Sequence, residues 1–359
     1  MCIRDRTAIK ATTGNITVST AGIATFTLSE PGTVTAGVPF ALTVSNARDA
    51  QNNLADGIIA VTFNDAGAHL APDATAPTLT NITVTNGAGS SNQTLVLAET
   101  IALPALQGDD TVTPAVDTTN AITVNPGSLS YYTIGGEPGA ATSGVAFTTP
   151  ANDIVVTAYD EYDNVKTDHA GNVHFSSTDG VAAVPADAVL VAGVQTFVGS
   201  GFTLNTAGTQ TVSVNHATQT AIKATTGNIT VSTAGIATFT LSEPGTVTAG
   251  VPFALTVSNA RDAQNNLADG VIAITFNDAG AHLAPDTTVP TLTNITVTNG
   301  SGSSNQTLVL AETIALPALR GDDTVTPAVD TTNAITVNPG SLSYYTCLLY
   351  TSPSPRDRS

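Results

Sequence analysis

Asp153-Ile154-Val155-Val156-Thr157-Ala158-Tyr159-Asp160-Glu161-Tyr162-Asp163-Asn164 carries a strand and the turn that ends it. Ile154, Val156 and Ala158 alternate with Val155, Thr157 and Tyr159, as a strand with one buried face requires. Asp160 can then accept backbone N–H groups two or three residues on. Asp163 and Asn164 are residue types that tolerate the left-handed conformation. The pair of features recurs upstream. Ala41–Ser45 alternates, and Ala47-Arg48-Asp49-Ala50-Gln51-Asn52-Asn53 follows, so the shared turn is Ala-x-Asp-x-x-Asx-Asn.

Around this turn, short strands separated by Gly, Pro, Asn and Asp are predicted at Leu129–Ile134, Asp153–Ala158, Gly171–Phe175, Val189–Val191, Phe197–Leu204, Thr209–Val214 and Asn228–Val231. About seven short strands in roughly a hundred residues, without helical periodicity, predict an antiparallel β-sandwich. Ile23–Leu28 and Asn15–Val18 read as strands, and Glu30-Pro31-Gly32 as a turn. Thr94–Leu106 comes nearest to a helix, but Pro104 and its β-branched residues oppose one.

The chain repeats itself. Thr7–Thr133 returns as Thr220–Thr346, 213 positions on, with six differences among 127 aligned residues. These are Ile58/Val271, Val61/Ile274, Ala74/Thr287, Ala76/Val289, Ala88/Ser301 and Gln107/Arg320. Glu137-Pro138-Gly139 and Ser143–Phe147 repeat the landmarks Glu30-Pro31-Gly32 and Ala36–Phe40 at a shift of 107. The long period therefore holds two diverged modules, A and B, in the order A–B–A. Residues 7–21 read as the end of a preceding B, 22–125 as A, 126–234 as B, 235–338 as the second A, and 339–346 as the start of a further B. The links Ser19–Gly22, Asn125–Gly127 and Ser232–Gly235 are short, so neighbouring modules should touch.

Residues 1–6 and 347–359 stand outside the repeat. Met1–Asp5 and Cys347–Asp357 resemble translated sequencing adapter and are set aside as artefact. They hold Cys2 and Cys347, the only cysteines, so the repeats carry no thiol, disulfide or Cys-metal chemistry. The full chain has 28 acidic and 10 basic residues, and its formal charge is −18. Such a balance disfavours nucleic acid and anionic membrane surfaces as partners. No apolar run is long enough to span a bilayer, so no direct membrane insertion is expected.

Module B resembles the bacterial immunoglobulin-like, filamin-like repeats of large surface proteins. The matching residues are Val156-Thr157-Ala158, Asp160, Asn164, Gly171, Val173, Phe175, Ser177, Asp179, Leu204, Thr206-Ala207-Gly208, Gln210, Val212 and Val214. Asp163, and Asn52 in module A, stand where that family usually has Gly. The resemblance covers all of B and the first third of A; residues from about Gly67 to Thr119 follow it poorly. It implies an all-β chain of tandem antiparallel Ig-like β-sandwiches in an extended array. It also implies a non-enzymatic structural or spacer region of a large bacterial cell-surface or secreted protein, projecting a distal adhesive or other functional domain. The partners expected are neighbouring Ig-like modules in the same chain. A surface glycan or protein ligand is the alternative if the modules themselves adhere, and a spacer within an extracellular hydrolase is the third reading.

Candidate chemistry is sparse. Asp109, Asp110 and Asp117, with their copies Asp322, Asp323 and Asp330, are candidate Ca²⁺ ligands. Asn120 or Asn333 and backbone carbonyls could complete an oxygen shell, although the spacing matches no EF-hand; a solvated acidic loop is the competing reading. Asp160 and Asp163 are a second carboxylate pair, competing with a backbone-capping turn. His169 and His174 could pair on zinc, but alternation puts them on opposite faces, and surface imidazoles explain them as well. His69, His216 and His282 carry no motif. Asn15, Asn81 and Asn92 head Asn-x-Thr triplets that chance explains in a Thr-rich chain. Tyr131-Tyr132 should point one ring inward and one outward. No nucleophile elbow, zincin motif, phosphate loop or dinucleotide fingerprint is present, so no catalytic residue or cofactor is expected.

Overall fold

The computed structural model describes residue 15 and residues 21–341. The terminal segments, the Asn15–Val18 strand apart from its first residue, and Tyr344-Tyr345 lie outside the described residues.

In the first A module the strands are β1 (Thr25–Leu28), β2 (Thr33–Thr35), β3 (Phe40–Arg48), β4 (Gly57–Phe63), β5 (Ile82–Val84), β6 (Gly89–Gln93), β7 (Thr100–Ile101), β8 (Leu106–Asp110), β9 (Val116–Thr118) and β10 (Ile122–Asn125). One sheet has the order β1-β3-β6 and the other β5-β4-β8-β9. At the end of the sandwich β2 runs parallel to β10, which also pairs with β7.

Module B supplies β11 (Tyr131–Gly135), β12 (Ala140–Thr142), β13 (Ile154–Tyr159), β14 (Asn172–Ser177), β15 (Ala188–Val189), β16 (Val194–Phe197), β17 (Gly208–Gln210), β18 (Val212–His216), β19 (Lys223–Thr225) and β20 (Ile229–Ser232). Its sheets, β11-β13-β16 and β15-β14-β18-β19, and its parallel pair β12-β20 repeat the order of A strand for strand. The second A copy runs from β21 (Thr238–Leu241) to β30 (Ile335–Asn338) in the same arrangement. In sandwich notation this is A-B-E against C′-C-F-G, with the second half of strand A joining the end of G. Each module is an immunoglobulin-like sandwich.

The alternation seen in the sequence becomes the core. Leu42, Ile59, Ile82, Leu106 and Ile122 are fully buried in the first A module, and Ile154, Val156, Val173, Val212 and Val214 in B. Burying each such aliphatic side chain is worth about 1.5–3 kcal/mol. Module B adds aromatic weight. Phe175 meets Phe197 and Phe202 edge-on, with ring centroids 4.7 and 5.2 Å apart. The region of A that departs from the family pattern reaches the same strand order through a longer C–C′ connection, which runs over 64–81 where B has 178–187.

Two predicted strands are corrected. Thr209–Val214 breaks at Thr211 into β17, which pairs with β20, and β18, which pairs with β14 in another sheet. Phe197–Leu204 is not continuous: β16 ends at Phe197, Gly199–Gly201 is a 3-10 turn, and Phe202 and Leu204 re-enter the core. The small Gly-Ser-Gly step lets the backbone turn tightly there, and Asp153 Oδ1 accepts Gly199 N at 2.7 Å. The strands β12 and β19 were not anticipated, since Ala140–Thr142 and Lys223–Thr225 carry little apolar contrast. Among the described residues there is no α-helix, hence none long and apolar enough to cross a membrane.

Candidate functional site at the module junctions

The Ala-x-Asp-x-x-Asx-Asn turn caps itself first. Asp160 Oδ1 accepts Tyr162 N at 2.9 Å and Asn164 N at 3.0 Å, and Asp163 sits at φ 63°. Asn164 Nδ2 also donates to Asp160 Oδ2 at 2.9 Å, and further bonds reach the linker and the preceding module. Asp160 Oδ2 accepts Gly127 N of the linker at 2.7 Å. Asn164 Nδ2 donates to Val96 O at 2.8 Å, and Ala98 N of the first A module donates to Asn164 Oδ1 at 2.8 Å. One turn thus ties the linker and the preceding module's E–F loop to the module that owns it.

The next junction repeats the device. Asp262 accepts Ala234 N at 3.2 Å. Asn266 Nδ2 donates to Asn205 O at 2.8 Å and Ala207 N donates to Asn266 Oδ1 at 3.0 Å. Burial works against the Asp262 charge, but hydrogen bonds from the Asn266 side chain and backbone and from Ala234 N outweigh it and hold the carboxyl below its ordinary range. Asp49 is lowered in the same direction, by the Asn53 side chain first and by backbone N–H groups that include Ala21 of the linker before it.

The two A copies, identical here in sequence, show what a following module covers. Ala36 is 3% exposed and Val96 4%. Their copies Ala249 and Val309 are only half-buried. Among the described residues only the first copy is followed by a module, and Tyr162 of that module packs against the core of the first A module.

Each E–F loop has its own support. In B, Asp179 is buried and accepts Asn205 N, Thr206 N and Thr206 Oγ1, the last two at 2.9 and 2.7 Å. In A the same place, two residues past strand C, holds Asp65, which reaches the loop through an imidazole. His69 Nε2 lies 2.8 Å from Asp65 Oδ1, and His69 Nδ1 lies 2.6 Å from Glu99 Oε1. The ring also packs on Phe63, tilted by 33° with centroids 4.0 Å apart. Burial opposes the imidazolium, but the bonds to Asp65 and Glu99 raise the His69 pKa above its ordinary value. His282 repeats the arrangement with Asp278 and Glu312.

The calcium candidates do not converge. Asp109 and Asp110 leave opposite faces of β8. Asp110 Oδ2 accepts Thr113 N at 2.8 Å and Thr113 Oγ1 at 2.6 Å, while Asp117 Oδ2 accepts Leu28 N at 2.8 Å. Asp323 and Asp330 repeat this on Thr326 and Leu241. Asp322 is held by both Arg320 Nε and Nη2, at 2.7 and 2.9 Å, a bridge that Gln107 cannot make in the first copy. Asp163 accepts the Tyr131 hydroxyl, which pushes that phenol up to about 12. Among the described residues no group of three or more His, Cys, Asp or Glu is arranged to hold a metal.

The histidines separate. His174 is exposed against Asp187 at 2.7 Å. His169 faces the Tyr132 hydroxyl at 3.0 Å and the His216 ring at 5.7 Å. Burial, then the His216 and Lys166 charges, lowers its pKa. Tyr132 is buried; Tyr131 is half-exposed and stacks on Tyr159 at 5.2 Å, so these two rings spend a face on each other. Asn81 and Asn92 are exposed.

No family model matches the chain, and no curated protein matches it. Solved structures do. Invasin, described as a bacterial integrin-binding protein, is 14% identical with a TM-score of 0.39, over 88% of this chain and 60% of invasin, so the chain spans less than two thirds of that protein. InvD of Yersinia pseudotuberculosis is 14% identical with a TM-score of 0.42, over 87% of this chain and 96% of that one. Domains 4–9 of the surface layer protein SbsC are 14% identical with a TM-score of 0.21, over 87% and 50%. At such scores the fold assignment rests on the chain's own strand order.

Proposed function

We propose that the chain is a non-enzymatic spacer region of a large bacterial cell-surface or secreted protein, in which Ig-like modules act as a stalk for a distal adhesive or other functional domain. The observation that carries this reading is the repeated clasp. Asp160 and Asn164, then Asp262 and Asn266, each fasten a linker and a preceding module by the same backbone groups. A device used once per junction is what a load-bearing or distance-setting array needs, whereas a reaction centre needs convergent groups in one place. The acidic balance of 28 to 10 favours a soluble, self-repelling array.

Small-angle X-ray scattering of the full chain tests it. A rod-like profile is expected, and replacing both Asn164 and Asn266 by Ala should broaden the distance distribution without unfolding the modules. A compact profile, or one indifferent to both substitutions, would remove the stalk reading.

A further inference from the structure

The two junctions share their clasp but differ in what fills the space beside it. The turn that joins strands A and B has a left-handed glycine in both kinds of module, Gly37 at φ 75° and Gly144 at φ 73°. Each donates its N–H to the E–F loop of its own module, to Leu95 O at 2.8 Å and Leu204 O at 2.9 Å. The next module's Asp turn lays its third residue on that glycine. A Cβ on Gly37 would lie 2.4 Å from the Tyr162 ring, and one on Gly144 would lie 2.3 Å from the Gln264 amide.

The residue before the glycine differs with its cover. Ala36 is apolar and buried beside the ring that packs on its core. Ser143 is 1% exposed; its hydroxyl donates to Asn205 O at 2.7 Å, accepts Asn266 Nδ2 at 2.8 Å, and lies 3.5 Å from Gln264 Oε1. Module A also reaches over Tyr162 with its long C–C′ connection, through a long bond of 3.4 Å from Asp73 N to Tyr162 O.

We propose that module order is encoded by this pair of positions. Ala with Tyr specifies A followed by B, and Ser with Gln specifies B followed by A. A B module set after another B would place an aromatic ring on the hydroxyl of Ser143 in place of an amide. An A module set after another A would place a polar amide on Ala36 with no hydroxyl to meet it. Ser143 keeps Asn205 O and an Asn amide whichever module follows, so the discrimination is one of apolar fit. The Tyr162 ring packs on the core beside Ala36, a contact that a hydroxyl or an amide would replace with polar atoms. Order is selected by the difference between matched and mismatched ends. The inference concerns the junctions alone and stands whatever the whole protein projects or binds.

Limited digestion of the full chain with a broad-specificity protease, with cleavage mapped by mass spectrometry, reads each linker separately. Pro126 resists cleavage, so the first is read at the bonds flanking Asn125–Gly127. Tyr162→Gln should raise cleavage there about tenfold and leave Ser232–Gly235 unchanged. Ala36→Ser should act on the same linker. The double variant Ala36→Ser/Tyr162→Gln installs the Ser–Gln chemistry there, and protection should return to within about twofold of the unmodified chain. Tyr162→Phe keeps the ring and should leave both linkers protected. Additive loosening in the double variant would overturn the proposal, and so would loosening by Tyr162→Phe equal to that by Tyr162→Gln. Misfolding would show as cleavage inside the strands; Tyr162→Phe then still discriminates.

Discussion

Asn164 spends its whole side chain on a neighbour and on its own turn: Nδ2 serves Val96 O and Asp160, and Oδ1 serves Ala98 N. Truncation removes both inter-module bonds and leaves the buried Val96 carbonyl unpaired. Asn164→Ala should therefore cost about 1–3 kcal/mol. Denaturant unfolding of the full chain checks this; a change well under that range would mean the carbonyl and amide find water instead. Asp110 and Asp117 are engaged by Thr113 and Leu28. The thermal midpoint should accordingly be the same with calcium and with chelator, and a calcium-dependent rise would show that these carboxylates bind the ion. At this scale the sequence spoke clearly about the turn and not about its purpose. An Asp followed by Asx-Asn announces a capped turn, but the partners of Asn164 lie 66 and 68 residues upstream in another module. No local pattern records such a pairing.

At the scale of elements, modules A and B carry half-buried histidines of opposite titration behaviour. His69 has its pKa raised in the fold. Its contribution is fully present below the unfolded value of about 6.5 and is lost as pH rises through the higher folded value. His169 is shifted down, so its neutral form is the favoured one. The stability it gives is present above about 6.5 and lost as pH falls through the lower folded value. Melts across pH 5–9 should therefore show the A modules weakening on the alkaline side and B on the acid side. His69→Gln with His282→Gln should flatten the first trend and His169→Gln the second; parallel pH profiles for both kinds of module would contradict the assignment. Period-two alternation made several core strands readable, including β1, β3 and β13. It failed where apolar contrast was low, at β12 and β19. It also failed at Phe197–Leu204, where apolar residues flank a glycine turn and mimic one long strand. The unfamiliar half of A looked foreign because its C–C′ connection is longer, not because its strands are ordered differently.

Across the whole molecule, the near-verbatim copy is informative in a way that a single module would not be. Ala36 and Ala249, or Gly37 and Gly250, share their sequence surroundings, so their differing environments among the described residues reflect what module B places on the first copy. Gly37→Val should act only through that contact and the strained φ, loosening the first junction. Gly250→Val meets open space among the described residues and keeps only the backbone strain. Comparing the two single variants by scattering and digestion separates the terms, and equal effects would mean Tyr162 adds nothing.

The parallel pair of β2 with β10, and of β12 with β20, also fixes how a module would answer a pull. Tension entering through one linker and leaving through the next draws the two partners in opposite directions along their common axis. Their hydrogen bonds are then loaded together rather than peeled one at a time, so a module would resist extension up to a threshold and then yield abruptly.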